Sequence, residues 1–196
     1  MADYTAIKYN VPYSDGSAGG LRLVTTTTAS SDSTISFTSG IDSTYKEYIF
    51  IFNNIHPATD NVDFTFQVDT GTNTSYNQTM TTTVFRALHD EADTAASMSY
   101  DSGRDQAQGT AFQILAHEIG NGNDENMSGS LHLFEPSSAT YVKHFMATLS
   151  LYAASNMSEN KYVAGYVNTT TALTRVQFKM SSGNIDAGTI QLFGVL

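Results

Sequence analysis

Tyr48-Ile49-Phe50-Ile51-Phe52 places five apolar residues in a row, all aromatic or β-branched, and Asn53-Asn54 and His56-Pro57 close the run. A strand with one wet face alternates apolar and polar residues, whereas a strand covered on both faces does not. The run therefore predicts a central strand over Lys46–Asn54, with water shut out from both of its sides. Val176–Met180 and Thr189–Val195, far along the chain, are its expected partners across the core.

Working outward, the same period-2 reading predicts strands on either side. Leu21–Thr28 is the first, and its four threonines suit a strand. Ser33–Thr38 follows, with Ile35 and Phe37 inward. Val62–Asp69 alternates cleanly, so Val62, Phe64, Phe66 and Val68 should be buried and Asp63, Thr65, Gln67 and Asp69 solvated. Asp69–Asn77 reads as a hairpin loop returning through Gln78–Ala87. Leu88–Gly109 is an acidic, small-residue excursion with room for a short helix, and long loops usually carry contacts or function. Further strands are expected over Thr110–Ile119 (Phe112, Ile114 and Ala116 on one face), Ser130–Phe134, Tyr141–Ala153, Asn160–Asn168, Leu173–Met180 and Thr189–Val195. Ten or eleven strands with little helix leave no crossover helices for a parallel sheet. The expected fold is an all-β antiparallel sandwich of jelly-roll type over residues 21–196, preceded by an arm over residues 1–20. Tyr4, Ile7, Tyr9, Val11 and Tyr13 make that arm too apolar for an idle tail and mark it as an assembly contact.

Charged residues are only 14% of the 196, and the formal charge is −10, so no basic cluster exists to neutralise a phosphate backbone. The same charge argues against an anionic membrane surface. With no cysteine, disulfides and thiolate metal sites are excluded. Met1-Ala2-Asp3-Tyr4 lacks the basic start and apolar run of a signal peptide, so synthesis in a cytoplasm without export is expected.

No catalytic constellation stands out. His117-Glu118 resembles the start of a zinc-protease helix motif, but the second histidine is replaced by Asn121. A strand would also point those two neighbours to opposite faces. The Asp, Asn and Gly residues of Gly120–Asn126 and Asp60–Asp63 could offer oxygens to calcium, yet turn chemistry accounts for them without metal. No cofactor is expected. Tyr76, Tyr100 and Tyr141, near loops rich in amides and hydroxyls, are the candidate glycan contacts, since a ring can stack on a sugar.

Four runs carry a family likeness: Ile35-Ser-Phe-Thr-Ser-Gly-Ile-Asp-Ser-Thr-Tyr45, Ile55-His-Pro-Ala-Thr-Asp60, Phe178-Lys-Met-Ser-Ser-Gly-Asn-Ile-Asp186 and Gly188-Thr-Ile-Gln-Leu-Phe-Gly194. Through them nearly the whole chain resembles small virion structural proteins of tailed phages infecting marine bacteria and cyanobacteria. These motifs are strand ends and turns, and they name no active site. The resemblance implies a non-enzymatic viral structural protein on a bacteriophage particle, as capsid decoration (cement protein) or as a tail or head fibre subunit. Its expected partners are other virion proteins and copies of itself, with a homotrimer suggested by the three-fold habits of such proteins. A carbohydrate-binding module for host adsorption is the alternative.

Overall fold

A computed structural model describes residues 20–196, so the arm positions Tyr4, Ile7, Tyr9, Val11 and Tyr13 lie outside the described residues. Twelve strands follow in order: β1 (Leu21–Thr28), β2 (Ile35–Phe37), β3 (Glu47–Pro57), β4 (Val62–Thr70), β5 (Met80–Asp90), β6 (Ala96–Tyr100), β7 (Gln113–Ile119), β8 (Met127–Phe134), β9 (Lys143–Ala153), β10 (Met157–Val167), β11 (Leu173–Met180) and β12 (Ile185–Val195). All pairings between them are antiparallel. A single residue pair, Ile119 with Ala153, joins β7 to β9. Apart from it the strands form two layers, a large sheet β1-β12-β3-β8-β9-β10-β5-β6 and a small one β2-β11-β4-β7.

Setting aside β5, β6, β9 and β10 leaves β1-β12-β3-β8 facing β2-β11-β4-β7. The links β1→β2, β3→β4, β7→β8 and β11→β12 each cross between those layers, which is the double Greek key of a jelly roll. The two extra strand pairs are insertions that widen only the large sheet.

The core between the layers is aromatic. Tyr48, Phe50 and Phe52 of β3 point inward and are fully buried. Phe178 of β11 meets them from the opposite sheet, with ring centroids 5.2 Å from Phe50 and 5.3 Å from Phe52, edge to face. Phe66 meets Phe145 in the same way at 4.9 Å. Thus β11 faces β3 across the core as expected, whereas β12 lies beside β3 in the same sheet.

Several expectations are corrected. Ile49 and Ile51 are half-exposed, so β3 is central in its sheet but covered on one face only. The supposed wet face of β4 is buried at Thr65, Gln67 and Asp69. Chain from the two loops that follow folds back over it, and Gln67 Nε2 donates to the carbonyls of Gln78, Thr110 and Ala111. Asp69 accepts from the backbone N–H groups of Thr70 and Tyr76 and from Gln78 Nε2. Asp69–Asn77 is no hairpin loop, because β4 and β5 belong to different layers. The excursion after Leu88 holds no helix. Asp90 Oδ1 accepts from Thr94 N and Ala95 N, closing a tight turn that folds β6 back on β5. In β7, Leu115 enters the core and Ile114 does not, because bulges shift the register against β4. Phe112 lies beneath Lys179 Nζ, 4.1 Å from the ring centre.

Candidate interaction surface

The outer face of the large sheet is where the apolar pattern goes unabsorbed. Read across the strand registers, one row runs Leu23, Phe193, Ile49, His132, Met146, Ala164, Thr83. The next runs Gln191, Ile51, Ser130, Thr148, Tyr162, Phe85, Tyr100. Neither row contains Asp, Glu, Lys or Arg, on a chain of formal charge −10. Leu21, Leu23, Met146, Phe85, Tyr162, Met98 and Tyr100 are the large apolar side chains left exposed here. Phe85 and Tyr162 stack face to face at 4.7 Å. Such cross-strand pairs bind a sheet together, and a contiguous exposed patch marks an interaction surface. Glu47 sits at its margin, 2.6 Å from His132 Nδ1.

Beside the aromatic pair the same face turns polar. A cleft of about 520 Å³ is lined by Ser128, Ser150, Ser158, Tyr152, Asn126 and Glu91, among others. Tyr152 donates its hydroxyl to Glu91 Oε1 at 2.9 Å, and that bond raises its pKa above the ordinary tyrosine value.

Beneath the face, the inner side of the inserted strands carries buried charge. Lys161 Nζ lies 3.1 Å from Asp101 Oδ2 and 3.2 Å from Glu159 Oε2, and Arg86 reaches Glu159 Oε1 at 2.9 Å. Burial works to raise the pKa of Asp101, but its hydrogen bond and attraction to Lys161 prevail and hold it low. His117 borders this group. Desolvation, reinforced by the charges of Lys161 and Arg104, drops it from 6.5 to about 4. Glu118 takes a left-handed backbone (φ 57°), and its carboxylate thereby reaches His117 Nε2 at 3.1 Å instead of pointing to the opposite face.

This arrangement sets a pH dependence. Above about pH 6.5 both folded and unfolded His117 are neutral, and its effect is nil. As pH falls from there towards 4, the unfolded chain binds a proton that the folded one refuses. Stability is therefore lost across that window, by about 3 kcal/mol in all. Urea titrations at pH 7 and pH 4.5 should show this fall, and His117→Gln should flatten it relative to the parent.

The sequence-predicted tyrosines are not brought together. Tyr76 is buried, 6% exposed, so its ring offers nothing to a sugar. Tyr141 is 73% exposed in the β8–β9 turn, and Tyr100 is 55% exposed on β6 with its hydroxyl bonded to Asp105. The surface residues that sequence reasoning missed are Phe85, Met146 and Tyr162, each alternating with inward residues on strands expected only to feed the core. Among the described residues, no group of three or more His, Cys, Asp or Glu could hold a metal, and no helix is long and apolar enough to cross a membrane. Compared with family models, curated proteins and solved structures, the chain matches none.

Proposed function

We propose that the chain is a non-enzymatic structural protein of a tailed-phage particle, displayed on the particle surface as capsid decoration or as a fibre subunit, and assembled by protein–protein contacts. One observation carries the assembly reading: an uncharged, apolar outer face on the wide sheet of an otherwise acidic jelly roll. Apolar surface of that kind is stabilised by being covered. The phage setting rests on the family resemblance of the strand-end and turn motifs. In this reading the protein is made in the host cytoplasm and leaves as part of the virion. Residues 1–20 attach it there, and copies associate on the particle.

The test is incorporation. Deleting residues 1–20 should leave a domain with an unchanged cooperative unfolding transition that no longer joins particles. Normal incorporation of the truncated chain, read by gel analysis of purified virions, would remove the arm from this role.

A second reading has its own observation. The serine-lined cleft sets hydroxyls beside the Tyr152 ring, on the same outer face as the Phe85–Tyr162 pair, which combines hydroxyls with aromatic faces as saccharide sites do. It assigns the protein to recognition of a host-surface glycan. Silence on a glycan array at high protein concentration would count against it.

A further inference from the structure

The four outermost strands of the two sheets differ in how they are guarded. A free edge invites strand addition, and natural sheets blunt their edges with charge, proline, bulges or brevity. At the far end of the large sheet from β6, β1 carries Arg22 and a bulge between Leu23 and Thr25. In the small sheet β2 is three residues long, and β7 is irregular in register and tied to β9. β6 has none of these guards. Its five residues, Ala96-Ser97-Met98-Ser99-Tyr100, include no charge and no proline; their register with β5 is unbroken; and all five are exposed.

The direction of its free backbone groups follows from the bonds that flank it. Asp90 N donates to Ala95 O, and Asp101 N donates to Val84 O, so residues 95 and 101 face β5. Alternation along an antiparallel strand then turns Ser97 and Ser99 towards β5 and leaves the N–H and C=O of Ala96, Met98 and Tyr100 directed outward. Among the described residues β6 pairs with β5 alone.

We propose that β6 is a contact between two copies of this chain, paired antiparallel about a two-fold axis at Met98. The sequence suits that occupant. Around Met98 the strand reads the same in size both ways through Ser97 and Ser99. Small Ala96 of each copy then falls opposite large Tyr100 of the other, and Met98 faces its counterpart in a hydrogen-bonded pair. Every outward N–H and C=O of the strand finds a partner. Tyr100 of each copy leads on to Ala96 and then His89 of the other, so the outer face of the large sheet becomes continuous across the dimer. Acidic side chains flank the strand, Glu91 and Asp93 at one end and Asp105 at the other. Arg104 stands beside Asp105 and offsets part of that charge, but two copies of formal charge −10 repel as wholes, so the contact tightens as salt rises.

The experiment is sedimentation equilibrium on the full chain over a range of concentrations and salt. The expected result is a monomer–dimer equilibrium that shifts towards dimer with salt. Met98→Pro removes an outward N–H while leaving every bond to β5 intact, and its loss of the dimer is the expected result. Met98→Leu keeps the dimer, and unchanged circular dichroism and urea midpoint for both variants show that the fold is not at fault. A monomer at every concentration, a trimer, or a dimer that survives Met98→Pro would each overturn the proposal. If Met98→Pro proves unfolded, Met98→Lys, which sets two like charges face to face, carries the same expectation and the same risk.

Discussion

Phe178→Ala is expected to be the most damaging single substitution in the core, costing about 5 kcal/mol, at the upper end of large-to-small changes of this type. Phe178 is wholly buried on β11 and stands where the layers meet. Its ring touches Phe50 and Phe52 of the large sheet edge to face, stacks on Phe64 at 5.6 Å and 3°, and lies 6.1 Å from Phe37. Truncation removes the transfer contribution of the ring and leaves a hole bounded by five other rings, Phe66 at 6.3 Å being the fifth. Those rings are fixed by backbones in both sheets, so the site collapses poorly. Aromatic pairs add about 0.5–1.5 kcal/mol each beyond area, though such contributions do not sum. Most domains have only about 5–15 kcal/mol in total, so the variant should be marginal at room temperature. A urea titration with the slope unchanged and the midpoint sharply lowered is the expected reading. Phe178→Leu keeps most of the volume and should fall between parent and alanine. Equal losses for Leu and Ala would show that ring geometry, not filled space, is what matters there.

The same residues show what the sequence could and could not disclose. Leu173–Met180 and Leu21–Thr28 are strands with the bounds that alternation predicts, because period 2 is a local signal. The five-residue run of β3 marks the middle of its sheet, yet its outer members Ile49 and Ile51 are half-exposed. Periodicity reports that both faces are apolar; it cannot tell burial in a core from a face kept apolar for something else. The polar alternation of β4 errs in the opposite sense. Thr65, Gln67 and Asp69 look solvated because their cover, the chain around Gln78 and Thr110–Ala111, is distant in sequence and irregular. For Gln67 the nearest of that cover lies eleven residues on. The β5–β6 hairpin was hidden by composition, since an acidic run followed by Ala95-Ala96 favours helix on propensity. One side chain, Asp90, bonding two N–H groups ahead of it, decides otherwise. The exposed trio Phe85, Met146 and Tyr162 becomes a surface only once β5, β9 and β10 are neighbours, and that adjacency is topological.

The second large effect concerns how those inserted strands are seated. Lys161→Met is expected to cost about 3–5 kcal/mol, the range for breaking a buried ion pair from one side. Lys161 and Glu159 are about as buried as any apolar core residue, and Lys161 alone bridges Glu159 and Asp101. Its 3.2 Å approach to Glu159 Oε2 is an ion-pair distance without hydrogen-bond alignment, so Coulomb attraction carries that half of the contact. Methionine fills similar space but leaves Glu159 with Arg86 alone bonded to it and Asp101 with only the charges of Arg86 and Arg104 nearby. Desolvation, not lost packing, then dominates the cost. A double substitution separates the two. Glu159→Gln with Lys161→Met removes one positive and one negative group together, and Arg86 and Asp101, the more exposed pair, can recover water. The double variant should therefore be less destabilised than the sum of the singles by about 2 kcal/mol. Simple additivity would mean that the side chains act as packing volume and that their charges are screened. A strong coupling would explain why an insertion wider than the sheet beneath it stays in one register. Val84 and Val163 still join the shared core, but beyond them the inner face of β10 and β5 turns to Arg86, Glu159 and Lys161. A charge network with fixed partners can hold that overhang against the 101–112 segment where apolar contact alone would let it slide.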